Sequence, residues 1–155
     1  MKKKLKNNKG FGLIELLVVI GIIALLSTIA MVSLNGAKQK ARDAKRIADA
    51  KQMQIALDLY FDKKELYPIA ITAIILGTAN YSCLSENGFV ASCNIELVYM
   101  KLIPTAPIPP TGNQYTYISS DGNNYQLSFT LEKINQDLGP GVNCSATKIG
   151  ISCAE

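Results

Sequence analysis

The stretch FGLIELLVVIGIIALLSTIAMVS, residues 11–33, decides how the rest of the chain is read. At ~1.5 Å rise per residue, a helix of this length covers about 35 Å, enough to cross a ~30 Å hydrocarbon core. The apolar run continues on both sides of Ser27 and Thr28. That continuity argues against a secretory signal cut after Ala30, because such signals have a shorter apolar region ending in small residues. One residue is out of place. Glu15 sits five residues into the span, where an ionised carboxylate costs up to about 3 kcal/mol on insertion scales and less near the interface. Two readings stand side by side: Glu15 reaches the headgroups or stays protonated, or it awaits a cationic partner.

Outward from the span, Lys2, Lys3, Lys4, Lys6 and Lys9 precede it, and Lys38, Lys40, Arg42, Lys45 and Arg46 follow it. The leading lysines favour a cytoplasmic N-terminus, and Asp43 and Asp49 offset the trailing cations only in part. The formal charge of +4 belongs to this leader. Without those five lysines, 11 basic side chains face 12 acidic ones, a net of −1. No basic excess points to nucleic acid.

The 155 residues suffice for one domain, and they contain no His and no Trp. Ser-His-Asp and Cys-His catalysis and His-ligated metal are therefore excluded. No G-x4-G-K-[ST] loop occurs either, so energy for any assembly comes from elsewhere. The reading is of a protein that is not an enzyme. Four cysteines, Cys83, Cys93, Cys144 and Cys153, lie beyond the span. An even number there fits export to an oxidising compartment and a disulfide framework. A four-thiolate zinc site is the alternative, although the C-x9-C and C-x8-C spacings differ from zinc knuckles.

The segment Lys9-Gly10-Phe11-Gly12-Leu13-Ile14-Glu15-Leu16-Leu17-Val18-Val19-Ile20 resembles the N-terminal signature of type IV prepilins and type II secretion pseudopilins. The resemblance covers the basic leader, Gly10, Phe11, Glu15 and the apolar run to about Ser33. Gly12 departs from it, since Thr or Ser is usual there, and no proline interrupts the chain between Phe11 and Pro68. The resemblance implies cleavage between Gly10 and Phe11 by a prepilin peptidase, N-methylation of Phe11, and a role for Glu15 in assembly through the Phe11 amine of a neighbour. It also implies partners: further copies in a filament, the peptidase, an inner-membrane platform protein, a cytoplasmic assembly ATPase, and the bilayer before assembly.

Beyond Asn35 the pattern becomes a mixed helix. Ala37, Ala41, Ala44 and Ala48 form a small-residue stripe, and Met53, Ile55, Ala56, Leu59, Tyr60 and Leu66 read as its apolar face. Alternating Lys, Arg and Asp on the remainder read as a solvated face. Tyr67-Pro68 ends the helix. Residues 69–76 read as a strand or the helix tail, and 94–102 as a short helix. The prolines of 104–110 mark a connector. Residues 115–118 and 125–131 alternate as two strands of a hairpin, with 120–124 as its turn. Asp121, Asn123 and Asn124 read first as that turn and second as a weak calcium site, by resemblance to major pseudopilins. No other cofactor is expected. The cysteines are expected to pair locally, Cys83 with Cys93 and Cys144 with Cys153, although four cysteines allow three pairings.

The expected architecture is thus α+β and type IV pilin-like, with a long N-terminal helix packed on a small antiparallel β head. Its divisions are a cytoplasmic leader (1–10), a transmembrane or filament-core helix (11–33), an amphipathic continuation (34–66) and a globular head (67–155). The N-terminus is expected in the cytoplasm and the head outside. The competing function is a monomeric membrane-anchored binding module, which leaves Gly10, Phe11 and Glu15 unexplained.

Overall fold

A computed structural model describes residues 12–94 and 97–155, with the side chain of Val32 left aside. Helix α1 runs Leu13–Lys64, and the chain divides into two compact units, one ending at Lys38 and one spanning Gln39–Glu155. In the first unit the apolar side chains from Leu13 to Leu34 are exposed. Ser27 Oγ and Thr28 Oγ1 donate to the carbonyls of Ile23 and Leu25, both at 2.7 Å, so these hydroxyls are satisfied within the helix. That is how a polar side chain is tolerated where water is absent.

In the second unit, α1 ends two residues earlier than the sequence suggests. Glu65 takes φ 60°, and its N–H closes the last turn on the Phe61 carbonyl. A left-handed residue at this point is a common way to finish a helix. Tyr67 then donates its N–H to the Gly122 carbonyl at 2.7 Å.

The strands are β1 (Ala70–Ile75), β2 (Cys83–Ser85), β3 (Gly88–Val90), β4 (Val98–Met100), β5 (Thr116–Ser119), β6 (Gln126–Thr130), β7 (Asn143–Thr147) and β8 (Gly150–Ala154). Five form an antiparallel sheet in the order β1-β5-β6-β7-β8, and three form a smaller one, β3-β2-β4. The fold is α+β, with the last part of α1 packed on antiparallel sheet. Period-2 alternation places Tyr117, Leu127, Phe129, Cys144, Ala146 and Cys153 inward. Ala50, Met53, Ala56 and Leu57 of α1 meet them in one core. Each large side chain so buried contributes on the order of 1.5–3 kcal/mol.

Three expectations need correction. Residues 94–102 hold strand β4 instead of a short helix; Val98 and Tyr99 are β-formers, and Leu84 and Ser85 of β2 supply the strand's partners. Ile55 and Leu59 are 60% and 49% exposed, and Ala41, Ala44 and Ala48 are exposed too, so the stripe is not the head-facing side. Met53 and Ala56 of the expected apolar face are buried, and the head-facing side runs through Asp43, Arg46, Asp49, Ala50, Met53, Ala56 and Leu57. The charges read as a solvated face are therefore buried in part.

Candidate functional site

Gly10 and Phe11, the expected cleavage pair, lie outside the described residues, as does the leader. The described site begins at Gly12. Its N–H donates to Glu15 Oε2 at 3.0 Å, and the backbone N–H groups of Glu15 and Leu16 donate to the Gly12 carbonyl. Gly12 is thus the cap residue of α1, and Glu15 is the third residue of the first turn. A carboxylate three residues in that reaches back to the cap N–H is half of a capping box. Gly lacks the hydroxyl that supplies the other half, so the substitution noted at Gly12 weakens this start without removing it. The geometry gives Glu15 a local satisfaction that a stronger positive partner can displace.

The second constellation lies within the head unit and joins α1 to the segment after β6. Arg42 clamps Glu132 with two parallel bonds, Nε to Oε1 at 2.5 Å and Nη2 to Oε2 at 2.7 Å. The Arg46 side chain is fully buried. Its Nη1 donates to Asp43 Oδ1 at 2.6 Å and Glu132 Oε1 at 3.1 Å, and its Nη2 to the carbonyls of Pro107 and Pro109. Asp43 in turn accepts the backbone N–H groups of Glu132 at 2.9 Å and Lys133 at 3.1 Å. One turn on, Asp49 accepts from the Tyr115 hydroxyl at 3.0 Å and from Lys45 at 2.9 Å.

Each charge here has a partner, which is what burial demands. The bond from Arg42, followed by that from Arg46, lowers the Glu132 carboxyl to about 2. The same bond raises the Arg42 guanidinium. Burial, with the charge of Asp49 behind it, pushes the Tyr115 hydroxyl well above its ordinary range. The cluster ties helix, proline-bearing loop and sheet together. Sequence reading missed Glu132 entirely; of the residues it placed on the apolar face of α1, Met53 and Ala56 lie on the buried side.

The cysteines pair as Cys83–Cys93 and Cys144–Cys153. Cys144 and Cys153 are directly opposed across β7 and β8, so this link fastens the last strand of the chain. Asp121 Oδ1 accepts the N–H groups of Asn123 at 3.0 Å and Asn124 at 3.3 Å, and these bonds lower its carboxyl from the ordinary range. Asn124 and Asn123 give their carbonyls to Ser119 and Lys148. Gly122 holds φ +73° between them, with Leu66 packed so closely that a Cβ would crowd it. This is a turn. As a calcium cradle it offers one carboxylate whose oxygen already accepts backbone donors, a poor fit to an ion that takes roughly six to eight oxygens.

An exposed apolar helix segment capped by its own carboxylate, continued by an amphipathic half on a disulfide-fastened sheet, defines a type IV pilin-like structural subunit. Residues 5–31 match the prokaryotic N-terminal methylation motif. Along most of its length the chain is similar to the type II secretion system core protein G of Vibrio cholerae, 29% identical over 144 residues that cover 90% of each chain. It is also similar to the core proteins G of Aeromonas hydrophila, 35% identical over 41% of this chain and 44% of the relative, and of Escherichia coli, 38% identical over 39% and 41%. No solved structure matches the chain. Motif, fold and likeness together support a pilin or pseudopilin structural subunit, and among the described residues one long apolar helix fits anchoring in a membrane.

Proposed function

We propose that the chain is a major pseudopilin of a type II secretion system, polymerised through its N-terminal helix. The observation that carries this reading is Glu15, a carboxylate in an apolar segment whose described bond is to its own helix cap. On this reading a prepilin peptidase cuts between Gly10 and Phe11, and Phe11 is then methylated. The amine so created is a positive charge at the start of α1. In a filament it lies beside Glu15 of a neighbouring copy. Two charges that are costly to bury singly then offset one another, and the contact fixes register. The 11–33 segment waits in the membrane, with its N-terminus in the cytoplasm and the head outside. A platform protein and a cytoplasmic ATPase drive assembly. Catalysis has no part in this reading, and no cofactor is needed.

The likeness to a core protein G over 90% of the chain favours the secretion filament over an adhesive or motility pilus. The test is parallel: delete the gene and score secretion, motility and DNA uptake. Loss of secretion alone is expected. Normal secretion with lost motility would move the chain to the pilus class.

A further inference from the structure

The larger sheet gives one face to the core and leaves the other uncovered. Strand alternation turns Tyr117, Leu127, Phe129, Cys144, Ala146 and Cys153 inward, so the residues between them face out. No outward position of β5 to β8 carries a charged side chain. In the register of the sheet, Thr116 stands opposite Ser128, Ser128 opposite Ser145, and Ser145 opposite Ser152. Four hydroxyls thus form one row across four strands, repeating at the strand spacing of ~4.8 Å. Gln126 and Thr147 lie along one side of this row, and Thr130 and Asn143 along the other.

A recess of about 460 Å³ lies over the row, lined by Thr116, Ser128, Ser145, Gln126, Thr130 and Asn143. That volume is within the ~300–1,000 Å³ of small-ligand sites. Asn113 closes one border. Its Nδ2 donates to the Thr130 carbonyl at 2.7 Å, and its Oδ1 accepts the Thr130 N–H at 3.3 Å. Thr147 Oγ1 donates to the Gly150 carbonyl at 3.5 Å. The four hydroxyls of the row and the amides of Gln126 and Asn143 have no such partner among the described residues. Thr116, Ser128 and Ser145 are half-buried, so their oxygens are recessed as well as free.

The chemistry of the face narrows its occupant. An apolar surface laid on it would strand the hydroxyls and amides, each at a cost of about 1–3 kcal/mol. A carboxylate or sulfate would lose its hydration with no cation lining the recess to offset the loss, and an ammonium would find no carboxylate. A ligand that is itself rich in hydroxyls and carries no charge can pair with donors and acceptors alike. An extended glycan chain repeats its hydroxyls at an interval close to the spacing of the row.

We propose that the outer face of β5 to β8 is a binding site for an uncharged, extended glycan, with Ser128 and Ser145 at its centre. No aromatic side chain stands among the outward residues of these strands, so sugar rings have no stacking platform and a single site is weak. On the filament reading, repetition of the site along a polymer would add avidity. The site itself belongs to the head unit and does not depend on that reading.

The test uses the full-length chain in a polyoxyethylene detergent, which brings no sugar. Cellohexaose, a neutral linear glycan, is titrated in while the backbone amide resonances are followed. Shifts confined to β5–β8 are expected, with a dissociation constant on the order of 1 mM. Ser128→Ala with Ser145→Ala removes two hydroxyls from exposed-face positions and is expected to weaken binding at least about tenfold. The resonances of the core are expected to stay in place in that variant, which separates a lost site from a lost fold. An oligomer of alginate, equal in length but anionic, is expected to cause no shifts. Three results would overturn the proposal: no shifts at ten times the expected dissociation constant, alginate binding as well as cellohexaose, or a double variant that binds as wild type. Shifts in β5–β8 that follow protein concentration and ignore the sugar would give the face to a second copy, and would overturn it too. None of these failures touches the pseudopilin reading, which stands on Glu15 and filament yield.

Discussion

Two carboxylates on or beside α1 solve the same problem in opposite ways. Glu132 is nearly buried and held by Arg42 and Arg46 with three charge-assisted bonds. Glu15 is exposed on an apolar segment and bonded to a single backbone N–H three residues before it. One is a finished structural contact and the other is provisional. On the proposed reading, the difference separates the compact head unit from the segment that a second copy completes.

The largest expected effect falls on the provisional side. Glu15→Gln keeps the shape and removes the charge. It is expected to abolish or nearly abolish filaments in a shear-and-pellet assay, while the head melts as wild type. Filaments at normal yield would erase the contrast between the two carboxylates.

On the finished side, Arg46→Met strands Asp43 and Glu132 near one another without their shared cation. Breaking a buried pair in this way costs about 3–5 kcal/mol. A purified head unit, assayed by urea unfolding, is expected to show that loss. A change below about 1 kcal/mol would mean that water reaches the cluster freely. Next in size, Cys144→Ser with Cys153→Ser is expected to cost roughly 2.5–3 kcal/mol by loop entropy. Its effect should be read in the same unfolding curve, with β8 exchanging its amide hydrogens first.

The pH dependence sharpens the comparison. The folded Glu132 carboxyl titrates near 2, below its unfolded value of about 4.3. Its contribution is therefore fully present above the unfolded value and is lost as pH falls toward 2. Wild type is expected to lose more stability than Glu132→Gln between pH 5 and pH 2. Parallel losses would assign acid sensitivity elsewhere. The smallest effect is expected at Ile55→Ala, which lies off the core and should shift the melting of the isolated head by no more than about 0.5 kcal/mol.

Much of this was legible beforehand, and the pattern of what was not is physical. The apolar span 11–33 announces itself in the sequence because so long an apolar run suits a membrane or a filament core. The β5–β6 hairpin was visible because Tyr117, Leu127 and Phe129 alternate with polar residues around an Asp-Gly turn. The Arg46 cluster was hidden because its partners, Pro107, Pro109 and Glu132, lie 61 to 86 residues away in sequence. Lys, Arg and Asp at helical spacing look solvated until such partners are known. Ile55 and Leu59 misled in the reverse sense, since an apolar residue on a helix says that something covers it without saying what. The β7–β8 hairpin escaped notice because Lys148-Ile149, its turn, carries no turn signal.

The central claim is that the N-terminal helix becomes an assembly element only when cut at its head. Intact-mass spectrometry of the chain recovered from its native membrane tests it most directly. A mature chain that begins at Phe11 and carries one additional methyl group is expected. A chain that keeps Met1, or that begins after Ala30, contradicts it.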